Sequence, residues 1–242
     1  MMKPVFKAFT FLFVLAFSVF SLGLINSHFV AAQNQTTGIV IQGNEKTSVT
    51  QQVASRIDRS WPWYLTRASG IVASISLFWL MLSGIGQVTG HTFRFLQPIT
   101  AWATHKALGI AFLAAVVVHI GALLFDKFVS FSIVDLLVPF ASDHRQVTIA
   151  GRNFGSLYVA LGIFSLYMTI VIVASSLLVM DKKPRFWKLS HLLSYLVMGL
   201  VFVHALFLGT DTSKGWVRII WIMTGVVIVI ATIARLRRAN TI

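Results

Sequence analysis

Long apolar runs with few or no charges alternate with short polar connections along the whole chain. The runs occupy positions 8–25, 68–88, 101–125, 154–180, 186–208 and 216–234. Each is long enough to cross a hydrocarbon core about 30 Å thick. Each must do so as a helix, because lipid offers no partner to unpaired backbone N–H and C=O groups. The pattern predicts an all-α integral membrane helical bundle with five core transmembrane helices between 61 and 238. A polar stretch at 33–60 reads as an exported linker. The segment 1–32 combines a short basic start (Lys3, Lys7), an apolar run and the small residues Val30 and Ala32. This is the layout of a signal peptide cleaved near Ala32, with a sixth transmembrane helix as the alternative.

Composition agrees with this reading and charge adds orientation. The chain is 57% hydrophobic and 11% charged, with a formal net charge of +13. That charge does not suggest nucleic acid, because it is concentrated at span ends. Lys182, Lys183, Arg185 and Lys188 fill one connection, and Arg235, Arg237 and Arg238 follow the last run. Both clusters read as cytoplasmic by the positive-inside bias. Connections 89–100 and 181–188 are then inside and 126–152 outside, in a multi-pass protein of the plasma (inner) membrane. The acidic residues other than Asp181 fall on the outer side. Arg56, Arg59 and Arg67 run against the bias, which suggests a specific task for Arg67. With no cysteine, neither disulfides nor thiolate cofactor ligands are available.

Chemistry enters with histidine, which is expensive inside a membrane and is usually functional there. His105 and His119 lie fourteen positions apart in one run, and His191 and His204 thirteen apart in another. At about 1.5 Å per residue each pair spans roughly 20 Å. The two runs are separated by one intervening span and so are parallel. His105 is therefore level with His191, and His119 with His204. Fourteen residues return His119 to nearly the face of His105, whereas thirteen leave His191 and His204 about 140° apart on an ideal helix. A π-bulge, a bend near Gly199 or rotated cofactor planes would reconcile them. Two levels of paired imidazoles suit two b-type haems, whereas a zinc site would need four ligands around one point. Histidines that glue helices together or relay protons are the alternative.

The motifs around these residues are Trp63-Tyr64-Leu65-Thr66-Arg67-Ala68-Ser69-Gly70, His105-Lys106-Ala107-Leu108-Gly109, Trp187-Lys188-Leu189-Ser190-His191-Leu192-Leu193-Ser194-Tyr195 and Gly209-Thr210-Asp211. With them the chain resembles, from about Trp61 onward, the ferric reductase-like transmembrane domain family. That family includes NADPH oxidases, iron metalloreductases and the haem subunit of a periplasmic methionine sulfoxide reductase system. The resemblance implies an inner haem on His105 and His191 and an outer haem on His119 and His204. Lys106 and Lys188 stand at the inner level as partners for haem propionates, and Arg67 at the outer level, where a snorkelling interfacial arginine is the plain alternative. Lys106 stands where many members of the family carry arginine, and it offers a point charge instead of a bidentate fork.

Gly70, Gly84, Gly86, Gly109, Gly121 and Gly199 allow close approach of backbones or porphyrin, mostly as ordinary helix packing. Trp61, Trp63, Trp187 and Trp216 mark the interfaces, and His28, His91 and His144 receive no role. In the outer connection, 128–140 is apolar enough to lie on the membrane or dip into it as a lid, with Asp143, His144, Arg145 and Arg152 rimming the electron exit.

No G-x-G-x-x-G occurs and only four residues follow Arg238, so no FAD or NAD(P) site is expected. The expected function is transmembrane electron transfer. Electrons would come from quinol or a separate flavoprotein inside and leave to an acceptor outside, in an oxidoreductase component without its own flavin domain. A haem subunit dedicated to one exported oxidoreductase is the nearer alternative. A haem-free scaffold or proton-relay transporter is the more distant one.

Overall fold

The computed structural model describes the backbone of residues 49–239 and side chains over 60–237. The segment 1–32, for which a signal peptide or sixth helix is expected, most of the polar stretch at 33–60 and the last three residues lie outside that range. Helices α1 (Val49–Val88), α2 (Pro98–Leu123), α4 (Leu157–Leu178) and α7 (Gly215–Ala239) are long, and one further span is divided into α5 (Pro184–His191) and α6 (Leu193–Leu208). Five segments are long and apolar enough to cross a membrane: Ser60–Val88, Pro98–Leu123, Leu157–Leu178, Pro184–Leu208 and Gly215–Arg237. The protein is thus a multi-pass membrane bundle. The first span begins earlier than hydropathy alone indicates, and α1 continues back to Val49, inside the stretch expected as a linker.

Packing follows from the 3.6-residue period. On α1 Ala73, Leu77, Met81 and Ile85 recur every four residues, and they are buried against Phe112 and Ala115 of α2 and Tyr195, Val197 and Met198 of α6. The opposite faces stay apolar and exposed, as at Ile75, Trp79, Ile110, Val117, Ile170 and Ile230. Exposed apolar surface on every long helix is what lipid contact requires. α1 packs chiefly on α2, and α4 on α6. One end of the bundle carries the exposed basic connection Lys182, Lys183, Arg185 and Lys188. The opposite, loop end carries the long connection between α2 and α4.

That connection is built rather than loose. Asp126 accepts from the Phe128 and Val129 amides at 2.8 and 3.3 Å, and Ser132 and Asp135 form a capping box that starts α3 (Ile133–Leu137). A two-residue hairpin follows, β1 (Thr148–Ile149) with β2 (Arg152–Asn153), turning through Ala150 and Gly151 at φ +50° and +77°. Residues 128–140 pack back against α4. The Tyr167 hydroxyl donates to the Leu137 carbonyl, and Phe140 meets Phe164 edge-on at 6.2 Å. Both partners lie roughly 10–15 Å along α4 from its start.

Candidate functional site

The structure brings the four intramembrane histidines together as two pairs. The ring centres of His105 and His191 are 6.1 Å apart, those of His119 and His204 6.5 Å apart. Both separations suit one metal ion held between two imidazoles. A metal–nitrogen bond of about 2.0 Å plus about 1.1 Å from nitrogen to ring centre, taken on each side, gives about 6.2 Å. All four residues are half-buried. Among the described residues no group of three or more His, Cys, Asp or Glu converges on one point, so a metal here would have two protein ligands at each level.

The hydrogen bonds choose the tautomer. His119 Nδ1 lies 2.9 Å from the Thr66 carbonyl, and His204 Nδ1 lies 2.8 Å from the Tyr158 carbonyl. A carbonyl only accepts, so each Nδ1 carries the proton and each Nε2 keeps a lone pair. His105 Nδ1 lies 2.8 Å from Ser83 Oγ. That hydroxyl donates its one proton to the Leu80 carbonyl at 2.9 Å, so it too must accept from the ring. Three imidazoles are therefore oriented as metal ligands usually are, with the remote N–H tied to an oxygen. His191 Nδ1 is buried and has no hydrogen-bond partner among the described residues.

Glycine makes room for three of these rings. A Cβ on Gly70 would lie 3.2 Å from His119 Nδ1, one on Gly84 3.3 Å from His105 Cε1, and one on Gly162 2.7 Å from both Cε1 and Nδ1 of His204. Gly70 and Gly84 repeat on α1 the fourteen-residue spacing of His105 and His119 on α2. The antiparallel helices thus meet glycine to histidine twice. Gly162 was not singled out in the sequence, where it is one small residue within an apolar run. Gly109 and Gly121 face no histidine.

The span that carries the thirteen-residue spacing is broken between its two histidines. α5 ends at His191, Leu192 interrupts the span, and its amide donates to the Leu189 carbonyl at 3.1 Å while the Tyr195 amide reaches Leu192 at 3.2 Å. These i→i−3 bonds mark a tightened turn, which adds about 20° per residue relative to the α-helix and so rotates in the direction needed. No π-bulge is present among the described residues, and Gly199 lies within unbroken α6. The two imidazole pairs also meet at different angles, 43° and 78°. α5 itself is fastened to α4. Ser190 donates to Ser175 at 2.7 Å, and the Trp187 indole N–H to Ser176 at 3.1 Å. The Trp187 ring stands 5.3 Å from His191, so Trp187 does more than mark an interface.

The expected cationic partners divide. Arg67 is paired. It lies over the Trp63 ring at 4.2 Å and forks onto both carboxylate oxygens of Asp211, with Nε 2.9 Å from Oδ2. Hydrogen bonding from Arg67 holds the Asp211 carboxyl below the usual carboxylate range. This pair ties the start of the first span to the turn after α6, beside the Thr66 carbonyl that holds His119. The Gly209-Thr210-Asp211 motif acquires a mechanical reading. A Cβ at Gly209 would meet the Ala205 carbonyl at 2.5 Å, and the Thr212 hydroxyl turns back to the same carbonyl.

Lys106 and Lys188 are exposed at the basic end, Lys106 with its ammonium 5.3 Å over the Trp102 ring. Arg235, read in the sequence as a topology marker, instead reaches the Tyr195 hydroxyl and covers its ring at 5.3 Å. At the loop end Arg145 donates to the Phe207 carbonyl at 2.6 Å. The Phe207 ring stacks on Tyr158 at 4.2 Å. His144 sits against Phe131 at 5.5 Å, and burial, then the Arg145 charge, pushes its pKa down. Comparison with known proteins gives no match, since no family model, no curated protein and no solved structure is similar to this chain.

Proposed function

We propose that the protein is a di-haem b-type cytochrome that conducts electrons across the membrane. The carrying observation is the repetition, at two depths, of an imidazole pair spaced for one metal ion, with three of the four rings tied through Nδ1 to an oxygen. When bound, two haems supply one-electron carriers at successive depths, with the redox chemistry their own. The chain's residues bind and orient. His105 and His191 hold one iron and His119 and His204 the other; Ser83 and the carbonyls of Thr66 and Tyr158 fix three of the rings; Gly70, Gly84 and Gly162 admit them. Lys106 and Lys188 are the cations at the first level, and the Arg67–Asp211 clamp closes the second.

The exposed basic connection and Arg237 support an orientation with this end and the C-terminus cytoplasmic, in the plasma (inner) membrane. Electrons then enter from quinol or a separate flavoprotein and leave to an acceptor at the loop end. The motif resemblance to ferric reductase-like domains supports the same reading. An absorption spectrum of the purified protein tests it. The expected result is a Soret band and sharp α-band that shift on dithionite reduction; a colourless protein that is folded and monodisperse would overturn it.

A further inference from the structure

The two histidine levels differ in contacts that bear on how readily an iron between them is reduced. At His119/His204 both Nδ1–H groups donate to backbone carbonyls. A strong acceptor on the remote nitrogen raises the donor strength of the ring and favours the oxidised metal. At His105/His191 one acceptor is a hydroxyl, a weaker base, and the other ring nitrogen has no acceptor among the described residues. A cation lies near the same level. Arg235 is bound to Tyr195, which stands one helical turn beyond His191 on the same span. Positive charge in a poorly screened site opposes the extra positive charge of oxidised iron.

Ligand basicity and local charge therefore push the same way. We propose that the two levels are tuned apart, with His105/His191 at the higher midpoint potential, His119/His204 at the lower, and Arg235 as the residue that raises the former. This rests on the haem reading above. In the orientation taken from the basic connection, outward transfer then runs against the midpoint difference and is carried by the inside-negative membrane voltage. Arg235 acts as a positioning and field residue, since it is bound to Tyr195 rather than to the ligands.

The imidazole planes supply a label for each level. At 78° the His119/His204 rings are near perpendicular, and at 43° the His105/His191 rings are not. Perpendicular rings leave two iron d-orbitals nearly degenerate, which gives a highly anisotropic low-spin EPR signal, whereas the smaller angle gives a more rhombic one. The experiment is a redox titration of the purified full chain in detergent, followed by EPR and by the α-band. The rhombic signal should disappear first as the potential is lowered. Arg235→Gln should shift that wave alone to lower potential, by about a tenfold change in the oxidised-to-reduced ratio, or about 59 mV for one electron. Arg235→Lys, which keeps the charge, should leave it in place.

Ser83→Ala, which removes an acceptor, should move the same wave upward. Loss of the anisotropic signal first, simultaneous loss of both, or an unmoved wave in Arg235→Gln with both haems present would overturn the proposal. A protein that shows no low-spin haem signal at all would fail the functional reading instead, so the two failures are separable.

Discussion

The His119/His204 level is held by main chain and the His105/His191 level by side chains, and the contrast explains much of the architecture. At the first of these, both rings donate to carbonyls of unbroken helices, both press on glycines, and the Arg67–Asp211 pair closes the bundle beside them. A carbonyl cannot change rotamer, so these imidazoles have one orientation. At the other level a serine holds one ring, and the other sits at a helix break with Nδ1 unsatisfied by the described residues. Such a level is adjustable by single substitutions. The rigid one yields mainly to substitutions that invade it.

The largest effect should come from removing a ligand at either level. His204→Ala or His105→Ala should halve the haem content and abolish one of the two low-spin EPR signals, the anisotropic one for His204→Ala and the rhombic one for His105→Ala. Loss of both signals from each substitution, in protein that remains monodisperse, would merge the two levels into one cooperative site.

Glycine substitutions sharpen the contrast. Gly162→Ala places a methyl group 2.7 Å from a His204 ring that is pinned to the Tyr158 carbonyl. We expect a loss of about 1–3 kcal/mol, typical of overpacking, read as a lower thermal midpoint and depleted anisotropic signal. Gly84→Ala meets His105 at 3.3 Å, where the serine-held ring can give. The helical preference for alanine over glycine, about 0.5–1 kcal/mol, should then leave stability nearly unchanged. Equal losses from both would contradict the rigid-versus-adjustable distinction.

A smaller effect is expected at the Arg67–Asp211 clamp, whose side chains are 30% and 25% exposed. Asp211→Asn should cost about 1 kcal/mol at neutral pH. Because Arg67 depresses the Asp211 carboxyl below its ordinary value of 3.8, the contribution is fully present above about pH 4 and is lost as pH falls through the lowered value. Melting curves of wild type and Asp211→Asn should stay apart by a constant margin from pH 8 to 5 and converge only in stronger acid. Convergence already near pH 6 would show that the pair is not what separates them.

The spans, the four histidines and their pairing by depth are legible in the sequence, because hydropathy, an exceptional residue type and the rise per residue are all one-dimensional. What holds the rings is not. The acceptors for His119 and His204 are carbonyls of Thr66 and Tyr158, and every residue has a carbonyl, so no letter marks them. Gly162 looks like any packing glycine until a ring is placed against it. Arg67 and Asp211 both stand in quoted motifs, yet 144 positions separate them, and only the antiparallel return of the chain makes them neighbours. The break at Leu192 carries no Pro or Gly at its own position. It lies beside the Ser190–Ser175 and Trp187–Ser176 fastenings, which are tertiary.

The central claim is that each level holds one haem. A pyridine haemochrome assay on the purified full chain, normalised to protein by amino-acid analysis, tests it most directly. Two haems per chain is the predicted result. A ratio near one would leave one of the two imidazole pairs without its cofactor, and a ratio near zero would contradict the account as a whole.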